Sequence, residues 1–164
     1  MPDPQYRRLG IDFGTTHTVA TLATGPGAAQ PLLFDTGPLL SSAVYAETDG
    51  RLLVGADAER SARLEPARFE PNPKRRIDDG RLLLGTREYQ VVDVIGAVLH
   101  RVAGEAARVA GVGPDSVVIT HPAAWGASRR AVLAGAAERA GARLATPRRR
   151  GRRSRLTGRR LCSP

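Results

Sequence analysis

Residues 9–22, LGIDFGTTHTVATL, place one acidic residue in an apolar run and follow it with a turn rich in glycine and threonine. Asp12 lies near the end of the run, and Gly14, Thr15 and Thr16 follow it. Consecutive backbone N–H groups in such a turn form an anion-binding concavity, and threonine hydroxyls can donate hydrogen bonds to phosphate oxygens. Glycine lets a ligand approach the backbone closely. We therefore expect this turn to bind phosphate.

The carboxylate of Asp12 indicates that a cation accompanies the phosphate. A carboxylate repels a bare phosphate, so its position beside the turn makes sense chiefly when a divalent cation lies between them. Magnesium prefers carboxylate, water and phosphate oxygens as ligands. An ordinary hairpin with a polar turn is the alternative. The turn is not a Walker loop, because the spacing Gly-x-x-x-x-Gly-Lys-Ser/Thr is absent from it.

Lys74 is the only lysine among the 25 basic residues of the chain. Lysine supplies a compact point charge, whereas arginine supplies a planar fork of donors. A single lysine in an arginine-rich chain therefore favours a site that needs a point charge, such as one beside a transferring phosphoryl group. A solvated surface lysine is the alternative.

The hydrophobic pattern predicts the elements that position these residues, and alternating strands and helices together indicate an α/β layer structure. The first two apolar segments read as a hairpin around Gly-Thr-Thr-His. A continuous apolar strand at 116–120 is of the kind that is buried on both faces. Further strands are expected at 31–34, 43–46, 51–54, 82–84 and 88–91, helices at 55–64, 92–109 and 128–140 (Ser128 as N-cap, Gly141 at the end), and a loop at 66–80.

Length and composition limit the classes to which the chain could belong. With 164 residues, 41% of them hydrophobic, it can bury a core as one domain or as part of a larger one. The single cysteine, Cys162, excludes a disulfide framework or a cysteine metal cluster within one chain. No apolar stretch of membrane-spanning length and no signal-peptide pattern occurs, so we expect a cytoplasmic protein without membrane partners.

The formal net charge of +9 is concentrated at the C-terminus, because residues 143–164 contain nine arginines and no acidic residue. Residues 142–164 also lose the apolar period, and we expect them to form a disordered arginine-rich tail. A shifted reading frame in a GC-rich gene would produce such a change. The alternative is a basic arm that binds nucleic acid nonspecifically through its phosphates.

Four segments resemble, in order, motifs of the heat-shock-protein-70 (DnaK-like) chaperone family of the actin and sugar-kinase superfamily. Residues 10–18, GIDFGTTHT, resemble its first phosphate motif. Residues 53–58, LVGADA, resemble its hydrophobic-Gly-x-x-Ala segment, and residues 73–77, PKRRI, resemble its Ala-Lys-Arg-hydrophobic-Ile segment. Residues 117–125, VVITHPAAW, followed by Ser-Arg-Arg at 128–130, resemble its Thr-Val-Pro-Ala-Tyr-Phe and Ser-x-Arg.

The resemblance implies a lobe of an actin-like (ribonuclease H-like) ATPase, with a mixed sheet and flanking helices, and it implies ATP and Mg²⁺ as ligands. Within it, Asp12 positions magnesium through water and Lys74 orients the water that attacks the γ-phosphate. The resemblance also implies contacts with the phosphates at Gly14, Thr15, Thr16 and His17. Pro122 and Arg130 match positions that relay the nucleotide state to the substrate-binding domain of such chaperones.

The resemblance ends near Gly141, so it implies an N-terminal lobe at residues 1–141 that is incomplete. The family's Glu-Pro-Thr-Ala-Ala segment, second phosphate loop, adenosine motif and peptide-binding domain have no match in this sequence. Unfolded polypeptide clients and cochaperones are the partners that the family implies. Because the nucleotide of such proteins lies between two lobes, we expect weak or no ATP turnover by this chain alone.

Overall fold

The computed structural model describes residues 6–35 and 37–145, which form ten strands, three α-helices and two short 3-10 helices. The first hairpin and the long helix lie where the sequence predicts them. The strands are β1 (Arg7–Phe13), β2 (His17–Thr24), β3 (Gln30–Pro31), β4 (Leu40–Ser41), β5 (Val44–Ala46), β6 (Leu52–Val54), β7 (Phe69–Glu70), β8 (Arg81–Leu84), β9 (Arg87–Gln90) and β10 (Ser116–Thr120). The helices are α1 (Ala56–Ala62), α2 (Val91–Ala110) and α3 (Ala127–Arg139), and the 3-10 helices span Pro66–Arg68 and Pro73–Arg76.

The largest sheet is mixed and has the strand order β10-β1-β2-β3, with β4 also pairing with β2. β1 and β2 are antiparallel neighbours joined by a tight turn. β10 lies parallel to β1 in a register that pairs Asp12 with Thr120. The prediction of an α/β fold with a mixed sheet and flanking helices is therefore confirmed.

Two smaller sheets flank this one. β5 pairs with both β6 and β7 in antiparallel fashion, and β8 pairs with β9 as a hairpin. β7 lies in the segment 66–80, which was predicted to be a loop, so that prediction is wrong for two of its residues. The strand predicted at 31–34 is also shorter than expected, because only Gln30 and Pro31 pair with β2.

The core lies between one face of the large sheet and α2. Alternate residues of β1, namely Leu9, Ile11 and Phe13, are all at most 2% exposed. α2 presents a stripe of apolar residues at three- and four-residue spacing toward the same core, and it also packs on α3. The predicted long helix is therefore confirmed, and the burial of one apolar stripe stabilises it.

Two predictions about the last elements are wrong. β10 is not buried along both faces, since Val117 is fully buried whereas Val118, on the opposite face, is 52% exposed. α3 begins after Gly126, and no side chain caps its first turn, so Ser128 is not the N-cap. The predicted end of this helix is confirmed, because Gly141 follows it in the left-handed conformation with a φ of 74°.

The chain continues in paired backbone beyond the predicted lobe boundary. Leu144 forms a parallel bridge with Val117, and Ala145 N donates to Val117 O at 2.8 Å. The first residues assigned to the tail, 142–145, therefore lie along the edge of β10. The remainder of the predicted arginine-rich tail, 146–164, lies outside the described residues.

Within residues 6–35 and 37–145, none of the helices has the combination of length and apolar content that spanning a bilayer requires.

A matched pair of substitutions in α2 tests where the core lies. Val98 is fully buried, whereas Val109, in the same helix, is 54% exposed. We expect Val98→Ala to lower the free energy of unfolding by about 2–3 kcal/mol, because it removes buried methyl groups and leaves a cavity. Val109→Ala should change it by less than about 0.5 kcal/mol. Urea denaturation measures both values, and equal losses would contradict this assignment of the core.

Candidate functional site

The turn between β1 and β2 is closed by the pairing of Phe13 with Thr18, which leaves residues 14–17 as the loop of this hairpin. The last of them, His17, begins β2 through its pairing with Ser41 of β4. A side chain at Gly14 would put its Cβ 2.0 Å from the backbone oxygen of His17. Atoms cannot approach so closely, so this turn requires glycine. The need for Gly14 is therefore steric and internal to the turn, in addition to any approach by a ligand.

Ser42 holds the turn from behind through three hydrogen bonds. Its backbone N–H donates to Thr16 O at 2.9 Å, and its hydroxyl donates to Gly14 O at 3.1 Å. The one hydroxyl proton is then in use, so the Thr18 hydroxyl donates to Ser42 Oγ across their 2.9 Å contact. Ser42 and Thr18 are fully buried. This anchor was not found from the sequence, because it joins segments that are 24 to 28 residues apart.

The side chains of the turn itself are more open to solvent than this anchor. Thr15 is half-buried, and Thr16 and His17 are exposed. Among the described residues, none of these three side chains forms a hydrogen bond within the protein. Their hydroxyl and imidazole groups therefore keep their hydrogen-bonding capacity for a ligand.

Asp12 is exposed at the carboxyl end of β1. The hydroxyl of Thr120, its partner on β10, donates to Asp12 Oδ1 at 2.9 Å. Within the described part of the chain, Asp12 Oδ2 has no hydrogen-bond partner. Thr120 fixes the carboxylate without neutralising its charge, and the sequence alone did not reveal this role.

The structure brings Lys74 to the same end of β1. Its Nζ donates to Phe13 O at 2.5 Å and lies 5.8 Å from the centroid of the Phe13 ring and 5.4 Å from that of Trp125. Burial lowers the pKa of Lys74 below its ordinary value, because it disfavours the charged form, and the carboxylate of Asp12 opposes this shift. The ammonium group and the turn thus share one edge of the sheet.

A buried carboxylate braces the 3-10 helix that carries Lys74. Glu70, only 6% exposed, accepts from the backbone N–H of Asn72 at 2.8 Å and from Arg76 Nε at 3.0 Å. These two bonds hold the residues before and after Lys74. Sequence reasoning did not identify Glu70, since its partners are defined by the path of the loop.

The segment that follows Lys74 is tied to α3 by an ion pair. Arg129 approaches Asp78 to 2.5 Å, and its hydrogen bonds lower the pKa of the Asp78 carboxyl below its ordinary value. Arg130 is one of the two residues that the family resemblance matches to positions relaying the nucleotide state. It donates through Nη1 to Trp125 O at 2.7 Å. Pro122, the other, accepts from the backbone N–H of Trp125 at 3.0 Å.

The donor set at this edge suits a magnesium-bound phosphate. It combines one exposed carboxylate, two uncommitted threonine hydroxyls and one ammonium group, which are the groups that hydrated magnesium and phosphate oxygens select. Within residues 6–35 and 37–145, no cluster of three or more His, Cys, Asp or Glu side chains is positioned to hold a metal ion directly. The described residues would therefore offer magnesium at Asp12 a single carboxylate.

Comparison with known proteins finds no matching protein-family model, but it does find curated relatives. "Chaperone protein HscA homolog" of Aeromonas hydrophila is 32% identical over 162 residues, covering 85% of this chain and 26% of the relative. "Chaperone protein HscA" of Pectobacterium carotovorum is 33% identical over 165 residues, covering 84% and 26%. "Chaperone protein DnaK" of Cenarchaeum symbiosum is 26% identical over 130 residues, covering 74% and 19%. The chain thus spans about a quarter or less of the length of these relatives.

Ser42→Ala tests the anchor behind the turn. We expect it to lower the free energy of unfolding by about 1–3 kcal/mol, because Thr18 Oγ1 and Gly14 O would lose a buried partner. Ser41→Ala is the matched control, since the Ser41 hydroxyl accepts only a long 3.4 Å bond from Ala43 N, and its effect should be within about 0.5 kcal/mol. Chemical denaturation measures both, and equal effects would refute the anchor.

Proposed function

This chain belongs to the heat-shock-protein-70 (DnaK-like) chaperone family, its fold is part of an actin-like ATPase lobe, and from that premise we propose that it binds magnesium ATP through the β1–β2 turn. The observation that carries the proposal is the 2.5 Å contact between Lys74 Nζ and Phe13 O. It brings the only ammonium side chain of the sequence to the strand end where the turn begins. Loop 14–17 offers hydrogen-bond donors for phosphate oxygens there, and Asp12 offers a carboxylate ligand for magnesium.

We assign each site residue a role within this proposal. Asp12 would hold magnesium through water, and the hydrogen bond from Thr120 fixes the direction of its carboxylate. Lys74 orients the water that attacks the γ-phosphate. Bound magnesium would supply positive charge that offsets the charge of the phosphate oxygens. The groups that contact the phosphates are those of Gly14, Thr15, Thr16 and His17.

The anchor by Ser42 supports the role of the turn. Because the carbonyls of Gly14 and Thr16 are bonded from behind, they are held away from a phosphate that they would repel. A turn fixed before the ligand arrives also loses less conformational entropy on binding.

We also propose that residues 1–141, extended by the paired residues 142–145, form one lobe of the ATPase domain and that the described residues leave the adenosine largely exposed. Hydrogen bonds that are open to water contribute little net free energy, so binding should be weak and turnover slow or absent. We propose two further properties only for a chaperone of the relatives' full length, and not for this chain alone. They are the binding of unfolded polypeptide clients and cochaperones, and a cytoplasmic site of action.

A substitution at Lys74 tests the site. Equilibrium dialysis with labelled ATP, in the presence and absence of magnesium, should show binding that depends on magnesium. Lys74→Met should weaken it at least roughly tenfold, because a hydrogen bond to a charged group contributes about 1.5–3 kcal/mol. Arg75→Met removes the adjacent, exposed cation and should leave binding nearly unchanged. Asp12→Asn should reduce the magnesium dependence.

Two outcomes would contradict the proposal. Equal losses in Lys74→Met and Arg75→Met would mean that only general positive charge attracts the nucleotide. Absence of ATP binding, together with salt-sensitive DNA binding that disappears when residues 143–164 are deleted, would favour the basic-tail alternative.

A further inference from the structure

Trp125 has no part in the proposed site, although it touches that site's cation. It is the only tryptophan of the chain, lies between β10 and α3, and is 8% exposed. The centroid of its ring is 5.4 Å from Lys74 Nζ, and that of Phe13 is 5.8 Å away. Both distances are within the range in which a cation is attracted to an aromatic face.

The backbone and ring of Trp125 are held by contacts that do not involve Lys74. The backbone N–H of Trp125 donates to Pro122 O at 3.0 Å, and its backbone carbonyl accepts from Arg130 Nη1 at 2.7 Å. His121 stacks with the indole, with ring centroids 6.4 Å apart and planes only 4° from parallel. The indole therefore has supporting contacts of its own at the place where the lysine side chain lies against it.

The ammonium group has few polar partners within the described part of the protein. Its three protons find a single hydrogen-bond acceptor among the described residues, the carbonyl of Phe13. The only charged group that acts on it appreciably within this part of the chain is Asp12. Aromatic faces compensate for lost water without fixing the direction of a proton, and their attraction grows as the cation is desolvated.

We propose that Trp125 is a positioning residue that holds the Lys74 ammonium group at the carboxyl end of β1 through its indole face. The placement of the cation follows from contacts within the protein. Only its consequence for the binding of a nucleotide at the β1–β2 turn rests on the proposed function.

The single lysine allows a direct test by NMR spectroscopy. Protein labelled with ¹³C-lysine gives one lysine side-chain spin system, whose relaxation reports mobility and whose pH titration reports the pKa. In Trp125→Leu we expect the Lys74 side chain to become as mobile as a surface lysine. Its pKa should fall further, because an attraction to the protonated form is lost while apolar burial remains. Trp125→Phe should lie between Trp125→Leu and the unsubstituted protein.

Phe34→Leu is the matched control, because it removes a fully buried aromatic ring whose nearby cation is Arg101. It should destabilise the fold while leaving the mobility and pKa of Lys74 unchanged. If Trp125→Leu and Trp125→Phe lowered stability yet left both properties of Lys74 unchanged, Trp125 would be a packing residue only and the proposal would be overturned.

These measurements need no nucleotide, so a failure of ATP binding would leave this inference standing. If magnesium ATP does bind, Trp125→Leu should weaken binding severalfold, by less than Lys74→Met, because the ammonium group is loosened but still present.

Discussion

The parallel pairing of β1 with β10 is the contact on which the candidate site depends. Parallel strands end at the same edge of a sheet, so the register of Asp12 with Thr120 also fixes where the chain leaves β10. From that edge the chain runs through Trp125 into α3. Lys74, from the 3-10 helix before β8, reaches the same edge and bonds to Phe13 O. The site therefore combines segments that are 61 to 108 residues apart in sequence.

The parts of this arrangement that the sequence predicted are those with local signals. The turn at 14–17 was recognisable from residue types alone, and α2 from its apolar period. Thr120, Ser42 and Trp125 could not be assigned to the site, because their roles depend on which strands and loops become neighbours. β7 was missed for a related reason, since two residues between prolines carry no pattern and are ordered only by pairing with β5.

The error about β10 has a physical cause of the same kind. A continuous apolar run suggests burial on both faces, yet helices cover the large sheet on the face of Val117, which is fully buried. Val118, with its partner Gly10 on β1, lies on the other face and is 52% exposed. The apolar run could not reveal whether one or both faces of the sheet are covered, because that depends on which elements of the chain pack against the sheet.

The local environment of Lys74 explains why an arginine-rich chain uses lysine at this position. A guanidinium group is planar and spreads its donors in a fixed fork, whereas an ammonium group can donate to one carbonyl while its charge remains close to two aromatic faces. Phe13 provides both a ring and a carbonyl, because its side chain enters the core while its backbone closes the turn with Thr18. Burial makes the charge costly, as the lowered pKa of Lys74 indicates, and the nearby carboxylate offsets part of that cost. Asp12 therefore stabilises the charge on Lys74 before any ligand is bound. A magnesium ion at Asp12 would weaken this stabilisation, because its positive charge offsets that of the carboxylate. The phosphate that accompanies the ion would then supply the negative charge in place of Asp12.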